Sequence, residues 1–381
     1  MKKILFSLLL FIISLNKVSA LSLAPNAKSA ILIEASTGEI IYQKNVNEKR
    51  APASMTKMMS LIIIMEEIES GKLNWGEKIR ISENAASMGG SQIYLEANEE
   101  MTVKDLVKGI AMASANDAVV ALSERIAGSE EEFVELMNKK AKELNLKNTH
   151  FENSTGLDKD NHYSSAKDMA FIAKELVKHK KILEFSSTYE DYLRQNTNKK
   201  FWLVNTNKLI KTYEGMDGLK TGYTEEAMYC LTATAKRNDL RLIGVLMGET
   251  TSKVRNTEMT TMLDYGFNKY TVDKLFKKGD IVYKYKNNKS SSIKTDIIVS
   301  EDINILNKKG NEKRNINYKI KIYNKNLPIK KNEVIGKIIG MENNKEIFKV
   351  DLLTKKKIKK ANILELFIRN TFEYLNGNNV F

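Results

Sequence analysis

The chain has 381 residues, of which 42% are hydrophobic and 28% charged, a globular composition that excludes a disordered or fibrous protein. Its length exceeds that of one ordinary domain and predicts two. The single cysteine, Cys230, excludes an internal disulfide, and no cluster of cysteine and histidine residues indicates a metal. We therefore expect a protein that needs neither a metal nor an organic cofactor.

The first 20 residues have the pattern of a secretory signal peptide. Lys2 and Lys3 precede an apolar stretch, and the small residues of Val18-Ser19-Ala20 follow it. The apolar stretch is shorter than the ~20 residues that a membrane-spanning helix needs. We therefore expect residues 1–20 to be removed on secretion, so that the protein works where ATP and NAD are scarce.

The net charge of +14 belongs to one part of the chain. Residues 271–360 contain 24 Lys and Arg against 10 Asp and Glu, and so carry the whole surplus. In a secreted protein a basic surface points to an anionic membrane or cell-wall polymer rather than to nucleic acid. The alternative is that these lysines are solvated side chains on exposed strands.

The predicted elements of residues 21–270 indicate one mixed domain. Apolar runs at 29–35 and 39–43 flank a glycine-containing turn and predict a hairpin, and a second hairpin joins 229–236 to 240–247. Apolar periodicity predicts the helices 53–70, 103–127, 130–144, 165–178 and 252–267. Strands from both ends with helices between them predict an α/β (α+β) fold, in which a helical cluster packs against a central antiparallel sheet.

The sequence changes character after residue 270. Short alternating bursts such as NYKIKIY and EIFKVDLL predict a small, β-rich, all-β domain over residues 271–355. Residues 356–376 predict an amphipathic helix, because Leu364, Ile368 and Phe372 share one face and lysines precede it. We expect this helix to lie on a membrane surface rather than to cross the bilayer. Packing against the β-rich domain is the alternative.

A serine and a lysine three residues apart, Ser54 and Lys57, lead into a long apolar helical stretch. The pattern alone is a weak signal, because Ser-x-x-Lys occurs four times in the chain. On a helix the two side chains share a face, and burial would lower the pKa of Lys57 until a neutral amine accepts the serine proton. The alternative is a capping serine followed by a snorkelling lysine.

A second polar motif, Ser114-Ala115-Asn116, interrupts an apolar helical stretch. Polar side chains in such a position need hydrogen-bond partners or a function. A helix-to-helix corner with a new cap is the alternative interpretation.

A third motif, Lys220-Thr221-Gly222, combines a positive charge, a hydroxyl and a residue without a side chain. Gly222 allows another backbone or a substrate to approach the strand closely. The alternative is a strand that simply ends in a turn glycine.

The order and spacing of these motifs resemble those of penicillin-binding proteins and class A β-lactamases. Further segments, including FVELMNKKAKELNLKNTHFENSTGLD and DGLKTGYT, are similar to the D-alanyl-D-alanine carboxypeptidases, the low-molecular-mass penicillin-binding proteins. The resemblance covers residues 26–270 closely and implies a β-lactamase/transpeptidase-like fold. It implies a serine peptidase that removes the terminal D-alanine from peptidoglycan stem peptides ending in D-Ala-D-Ala and is acylated by β-lactams. It also implies a peripheral location on the outer face of the bacterial cytoplasmic membrane.

The same resemblance implies a role for each motif residue. Ser54 would attack the carbonyl of the penultimate D-alanine, Lys57 would accept its proton, and Ser114 would relay a proton to the leaving amine. The backbone N–H groups of Ser54 and Tyr223 would form the oxyanion hole. The residues expected to bind substrate are Asn116, Lys220, Thr221, Gly222 and Tyr223.

One residue departs from the pattern of the family, and three alternative functions remain open. An arginine that some members use to bind the substrate carboxylate is Thr206 here, with Lys208 as a candidate substitute. A β-lactamase would need a glutamate to activate the deacylating water, for which Glu152 is a candidate. A DD-endopeptidase would use the same site. A non-catalytic cell-wall-binding protein is disfavoured, because all the catalytic side chains are present.

Overall fold

The computed structural model describes residues 22–323 and 325–375, so the predicted signal peptide, residues 1–20, lies outside the described residues. A 3-10 turn at Ala53–Thr56 leads into the first α-helix. The helices, α1 to α10 in chain order, are Lys57–Glu69, Glu83–Ala86, Val103–Ala113, Asn116–Ala127, Glu130–Glu143, Ala166–Leu176, Lys180–Ser186, Leu209–Thr212, Ser252–Lys269 and Ile363–Leu375.

The strands fall into a group that alternates with the helices and a group that follows them without interruption. In chain order, β1 to β16 are Ser29–Glu34, Ile40–Lys44, Lys78–Arg80, Glu100–Thr102, Glu190–Leu193, Phe201–Val204, Met216–Thr224, Met228–Arg237, Leu240–Glu249, Tyr270–Phe276, Ile281–Lys286, Lys294–Val299, Ile303–Lys308, Asn317–Ile322, Val334–Glu342 and Lys345–Thr354.

The first sheet is antiparallel and has the strand order β2-β1-β9-β8-β7. Its strands come from both ends of residues 22–270, as the sequence predicts. Both faces are covered, which explains why β1 is buried at every position. Ile31 and Ile33 point into the core shared with the helical cluster, whereas Leu32 points to the other face, where α9 packs.

Helix α1 passes through the middle of the helical cluster. Residues 57–65 are all buried, because helices and sheet surround this segment on every side. A helix that is apolar around its whole circumference belongs in such a position. The Ser-x-x-Lys motif therefore lies at the start of a deeply buried helix, next to strand β7, which contacts the preceding 3-10 turn.

The strands after Tyr270 form a separate hydrophobic core around Ile297, Ile338 and Leu352. The second sheet has the strand order β11-β12-β16-β15-β14, and β10 pairs with β13 beside it. Helix α10 begins at Ile363 rather than at the predicted residue 356. The difference arises because Ile358 is buried and pairs with Ile329 in an isolated bridge, so the preceding lysine segment lies along the second sheet. The predicted last helical residue, 376, lies outside the described residues.

Candidate active site

Ser54 and Lys57 meet at the junction of the 3-10 turn and α1. The Nζ atom of Lys57 lies 2.9 Å from Ser54 Oγ and 2.6 Å from the carbonyl oxygen of Thr155. The lysine side chain is fully buried, with 0% exposure. Three-residue spacing over this first turn thus brings amine and hydroxyl into hydrogen-bond contact.

Burial holds the pKa of Lys57 well below its usual value, and the positive charge of Lys220 lowers it further. Asp117 and Glu130 act in the opposite direction but do not compensate. Because a buried ammonium is poorly solvated, the neutral amine is favoured. Lys57 therefore meets the requirement for a base that removes a proton from the adjacent hydroxyl.

The loop that contacts Lys57, residues 153–156, is held in place by several hydrogen bonds. The Oδ1 atom of Asn153 accepts hydrogen bonds from the backbone N–H of Thr155 and of Gly156, and Glu130 accepts from Ser154. Gly156 adopts φ +88°, and a Cβ at this position would lie 1.9 Å from the carbonyl oxygen of Ala53. This loop fixes the carbonyl that holds Lys57, a role that the sequence motifs alone did not identify.

His162 supports the same turn from the opposite side. Its Nδ1 accepts from the backbone N–H of Glu152, which leaves Nε2 to donate to Thr56 Oγ1 at 2.8 Å. Burial lowers the pKa of His162 to about 4, so the ring is neutral and holds one tautomer. Sequence reasoning missed this histidine, because nothing in its polar surroundings in the chain links it to residue 56.

The Ser114-Ala115-Asn116 motif forms the corner between α3 and α4. Ser114 ends α3 with φ 66° and ψ 31°, and α4 starts at Asn116. Asn116 donates its Nδ2 hydrogen to the carbonyl oxygen of Gly89 at 2.7 Å. Among the described residues, Ser114 Oγ and Asn116 Oδ1 are buried without a hydrogen-bond partner. Such atoms need explanation, and contact with a substrate supplies one.

Asp117, the residue after this motif, holds the neighbouring loop around Tyr94 in place. The carboxylate of Asp117 accepts from the backbone N–H groups of Ile93 and Leu95, on either side of Tyr94. Arg194 donates to the carbonyl oxygens of Ile93 and Tyr94. The exposed Tyr94, at φ 55°, is thereby held at the rim, an arrangement that no sequence pattern suggested.

The third motif lies on β7, at the edge of the first sheet. Gly222 contacts the 3-10 turn so closely that a Cβ would lie 3.0 Å from the carbonyl oxygen of Pro52. Lys220 is buried, its Nζ donates to the Thr221 carbonyl at 3.0 Å, and burial followed by the charge of Arg255 lowers its pKa to about 7. The missing side chain at residue 222 therefore lets this strand touch the 3-10 turn that contains Ser54.

Thr206 connects the third motif to the second. Thr221 Oγ1 donates to Thr206 Oγ1 at 2.8 Å, and the Thr206 backbone N–H donates to the Met112 carbonyl near the end of α3. Tyr223, on the same strand, is exposed and packs on Tyr229. Direct contacts thus join the first and third motifs, and Thr206 links the third motif to the end of α3, two residues before Ser114.

Two secondary candidates lie elsewhere. The Lys208 ammonium lies over the ring of Tyr189, 5.4 Å from its centroid, rather than beside Thr221. The Glu152 carboxylate pairs with His150 at 3.3 Å and is partly exposed, whereas the glutamate near Lys57 is Glu130. The hydrogen bonds that Glu130 accepts from Ser154 make it a structural group.

A mixed α/β fold with a buried lysine beside a serine, and a basic strand edge next to both, defines a serine hydrolase of the acyl-transfer type. Known proteins narrow this class. The D-alanyl-D-alanine carboxypeptidase family matches residues 16–251, and the C-terminal domain of penicillin-binding protein 5 matches residues 270–360.

Individual proteins agree with these family matches. The chain is 52% identical over 350 residues to the D-alanyl-D-alanine carboxypeptidase DacF of Bacillus subtilis, covering 92% of this chain and 90% of that protein. Penicillin binding protein 5 from Haemophilus influenzae superposes with a TM-score of 0.69 at 31% identity, covering 88% and 98% of the two chains. The ampicillin-bound penicillin-binding protein D2 of Listeria monocytogenes gives 0.57 at 30% identity, covering 64% and 98%.

The chain belongs to the D-alanyl-D-alanine carboxypeptidase family. It is a serine-type peptidase that hydrolyses the D-Ala-D-Ala bond and binds penicillin, and its fold is that of penicillin-binding proteins. The fold and activity predicted from the sequence are therefore confirmed.

Proposed function

We propose that Ser54 is the nucleophile and Lys57 its general base. Ser54 Oγ attacks the carbonyl carbon of the penultimate D-alanine while its proton passes to the neutral Lys57 amine, 2.9 Å away. The carbonyl becomes a tetrahedral oxyanion, which then collapses to an ester on Ser54 as the peptide C–N bond breaks. The burial of Lys57, which lowers its pKa well below the usual value, supports this assignment.

Ser114 is the group proposed to complete the proton path. The leaving amine of the terminal D-alanine needs one proton, which Ser114 Oγ delivers from Lys57 and regains from it. Its side chain is buried and has no partner among residues 22–323 and 325–375, so its hydroxyl is free to turn toward a substrate. Asn116 Oδ1, also unpartnered there, is the acceptor for a substrate amide N–H.

The β7 strand supplies the proposed recognition of the substrate carboxylate. Lys220 contributes positive charge, and Thr221 a hydroxyl that turns from Thr206 to the carboxylate. The backbone N–H groups of Ser54 and Tyr223 are the proposed oxyanion hole, where losing one donor typically costs roughly 10²–10³ in rate. Gly222 lets this strand lie directly against the 3-10 turn that contains Ser54, because a Cβ at this position would lie 3.0 Å from the Pro52 carbonyl oxygen.

Hydrolysis of the ester by water completes the proposed cycle and frees Ser54. A β-lactam follows the same first step, but its leaving nitrogen stays attached to the acyl group through the opened ring. The acyl-enzyme formed with penicillin is therefore expected to persist on Ser54.

The contact between Lys57 and Ser54 is the observation that carries this proposal. Intact-mass spectrometry after incubation with benzylpenicillin tests it, followed by peptide mapping of the added mass. The adduct is expected on the peptide that contains Ser54 and is expected to be absent from Ser54→Ala. An adduct on Ser114 or any other serine would refute the assignment.

We also propose that the protein is secreted, loses residues 1–20 and sits on the outer face of the membrane through α10. Phe367 and Phe372 are 67% and 64% exposed on this helix, which supports insertion of its apolar face into the lipid interface. Among the described ranges, no helix is long and apolar enough to cross a bilayer. The proposed division of the chain is a catalytic part, residues 21–270, a β-rich part whose core extends to Ile358, and the helix α10 from Ile363.

A further inference from the structure

A cavity of about 490 Å³ lies away from the candidate active site, where the first sheet meets the strands that follow Tyr270. Its walls come from the β1–β2 turn, from α6 and α7, from the β8–β9 hairpin and from the strands β10 and β13. No residue of the three catalytic motifs lines it. The cavity is therefore a separate feature that peptide hydrolysis does not use.

Basic side chains dominate the walls. Seven lysines and arginines face four carboxylates, and three of the basic groups are already paired: Lys178 with Glu175, Arg241 with Asp217, and Lys274 with Asp302. The other four basic groups are the ammonium groups of Lys174, Lys180, Lys236 and Lys278. In the part of the chain that the structure describes, none of them has a carboxylate within 4.0 Å.

Two of the four cavity carboxylates, those of Glu34 and Asp302, already have other partners. Glu34 accepts hydrogen bonds from Ser36 and Thr37 and is held in the β1–β2 turn. Asp302 is shared between Lys274 and the backbone N–H of Lys278. Burial lowers the pKa of Lys180, and the neighbouring charges of Arg241 and Lys236 lower it further. The lysines thus repel one another and would be stabilised by an anion.

A buried acceptor adds a second chemical requirement. Asn304 donates through Nδ2 to Ser36 Oγ at 3.2 Å, and this orientation is fixed because the Ser36 hydroxyl donates to Glu34. Its Oδ1 atom is buried and, within the described residues, has no donor. An unsatisfied acceptor in a polar cavity calls for a hydroxyl or another donor. A ligand that matches both features carries an anionic group and a hydroxyl.

The cavity is distant from the proposed membrane surface. Arg369 of α10 donates to the carbonyl oxygens of Asn288 and Ser290, in the β11–β12 turn. Strand β12 runs from that turn to the cavity, at Ser300, and its six residues span about 20 Å. A lipid headgroup bound near α10 would not reach the cavity, which favours a ligand from the aqueous side.

We propose that this cavity binds a polyol phosphate, with the phosphate on the unpaired lysines and a polyol hydroxyl donating to Asn304 Oδ1. A free polyol phosphate and a phosphodiester unit of an anionic wall polymer share this chemistry. Binding of either would fasten the first sheet to the strands after Tyr270, because residues of both parts surround the ligand.

Isothermal titration calorimetry of the full chain in a non-ionic detergent tests the proposal. The probes are sn-glycerol 1-phosphate, a poly(glycerol phosphate) chain, inorganic phosphate and glycerol. We expect both phosphate esters to bind and glycerol to give no signal. The double variant Lys180→Gln/Lys236→Gln is expected to weaken both esters at least tenfold. The charge-matched control Lys331→Gln/Lys345→Gln, on exposed residues outside the cavity, is expected to change binding less than twofold.

The variant Asn304→Ala distinguishes a specific binding site from nonspecific electrostatic attraction of an anion to the lysines. It removes the hydroxyl acceptor and is expected to weaken glycerol 1-phosphate severalfold while leaving inorganic phosphate unchanged. D-alanine release should stay at the wild-type level in every variant and reports correct folding. If the lysine pair fails that check, Lys278→Gln, on an exposed turn, replaces it.

Four results would overturn the proposal. These are no binding of either ester, equal losses in the control pair, inorganic phosphate binding as tightly as glycerol 1-phosphate, and insensitivity to Asn304→Ala. A separate experiment tests whether the ligand is a lipid headgroup, by measuring sedimentation of the protein with phosphatidylglycerol vesicles. Unchanged vesicle binding in the lysine pair supports an aqueous ligand, and a tenfold loss would make the cavity a lipid site instead.

Discussion

Lys57 Nζ and Ser54 Oγ are 2.9 Å apart where the 3-10 turn meets a buried helix, so the proposed base already contacts the proposed nucleophile without substrate. The geometry alone does not make lysine a base, because an exposed ammonium holds its proton at neutral pH. Burial without a carboxylate partner supplies the missing condition by lowering the pKa of Lys57. The site thus depends on the apolar helix as much as on the motif.

Removing the serine should abolish acylation, whereas removing the lysine should slow it strongly. Ser54→Ala deletes the nucleophile and is expected to eliminate both labelling by a fluorescent penicillin and D-alanine release. Lys57→Met keeps the apolar volume but removes the base, which should slow acylation by about 10²–10⁴. Single-turnover labelling and release of D-alanine from diacetyl-Lys-D-Ala-D-Ala measure these effects.

A second Ser-x-x-Lys pair in the chain provides the matched control. Ser291 and Lys294 lie at exposed positions next to β12, so Ser291→Ala and Lys294→Met are expected to keep full labelling. Retained labelling in Ser54→Ala would show that another serine is the nucleophile.

The pH dependence of kcat/KM should have one limb from each active-site lysine. In the proposed mechanism Lys57 is a neutral base, so the rate should fall as pH drops through its lowered pKa. Lys220 is proposed to act through its positive charge, so the rate should fall as pH rises through its pKa of about 7. A profile from about pH 5 to pH 10 measures both limbs in the free enzyme.

Lys220→Arg assigns the alkaline limb. A guanidinium keeps its charge throughout this pH range, so the decline above about pH 7 should disappear even if the larger side chain lowers the overall rate. The readout is the position of the limb and not the height of the profile. An unchanged alkaline limb in Lys220→Arg would assign it to a different group.

Much of the fold follows from local patterns. The hairpin β1–β2, the apolar helix α1 and the long strands β8 and β9 are predicted because their periodicity and length reflect burial. The three motifs are also readable, since Ser-x-x-Lys is a local geometric relationship on a helix. The late start of α10 is not, because Ile358 pairs with a strand residue that is distant in sequence.

The supporting residues of the site could not be predicted for the same physical reason. The contact of His162 with Thr56 spans 106 positions, and that of Lys57 with the Thr155 carbonyl spans 98. Asp117 directly follows a motif residue, yet its partners are backbone N–H groups, which leave no trace in the sequence. Long-range contacts of this kind depend on the assembled fold.

Gly156 should be intolerant of any side chain. A Cβ would lie 1.9 Å from the Ala53 carbonyl oxygen and would force the loop, with the Thr155 carbonyl, away from Lys57. We expect Gly156→Ala to lower the free energy of unfolding by more than about 4 kcal/mol and to abolish D-alanine release. Thermal unfolding and the release assay measure the two effects.

Gly71 separates the clash from backbone strain. It adopts φ +79°, close to the φ +88° of Gly156, but nothing lies within 4 Å of its Cβ position. Gly71→Ala should therefore cost only about 1–2 kcal/mol and leave activity intact. Equal destabilisation by the two substitutions would mean that contact with Ala53 is unimportant.

His162 should make stability depend on pH. Its folded-state pKa of about 4 lies below the ordinary 6.5, so between these values the unfolded chain takes up a proton that the folded protein excludes. Its contribution is fully present above pH 6.5 and falls by about 3 kcal/mol as the pH drops to about 4. His162→Gln should reduce the decrease in unfolding temperature between these pH values. Equal pH dependence of the unfolding temperature in the wild type and in His162→Gln would contradict this account.

Helix α10 should bind membranes through its aromatic side chains. Phe367 and Phe372 are exposed, and burying each in lipid is worth about 1.5–3 kcal/mol, so Phe367→Ser/Phe372→Ser should weaken association with anionic vesicles by at least about 100-fold. The control Ile281→Ser/Tyr318→Ser removes two apolar side chains that are each 47% exposed on the second sheet, and should sediment like the wild type.

A truncated protein tests the role of α10 only if its C-terminal boundary leaves the core of the second sheet intact. A chain that ends at Lys355 would also lose Ile358, which is only 1% exposed and belongs to the core of the second sheet. A chain that ends at Asn362 retains that core and should stay in the supernatant while releasing D-alanine normally from a soluble peptide. If it sediments with vesicles as the full chain does, the attachment must come from the basic strands, and α10 is not the anchor.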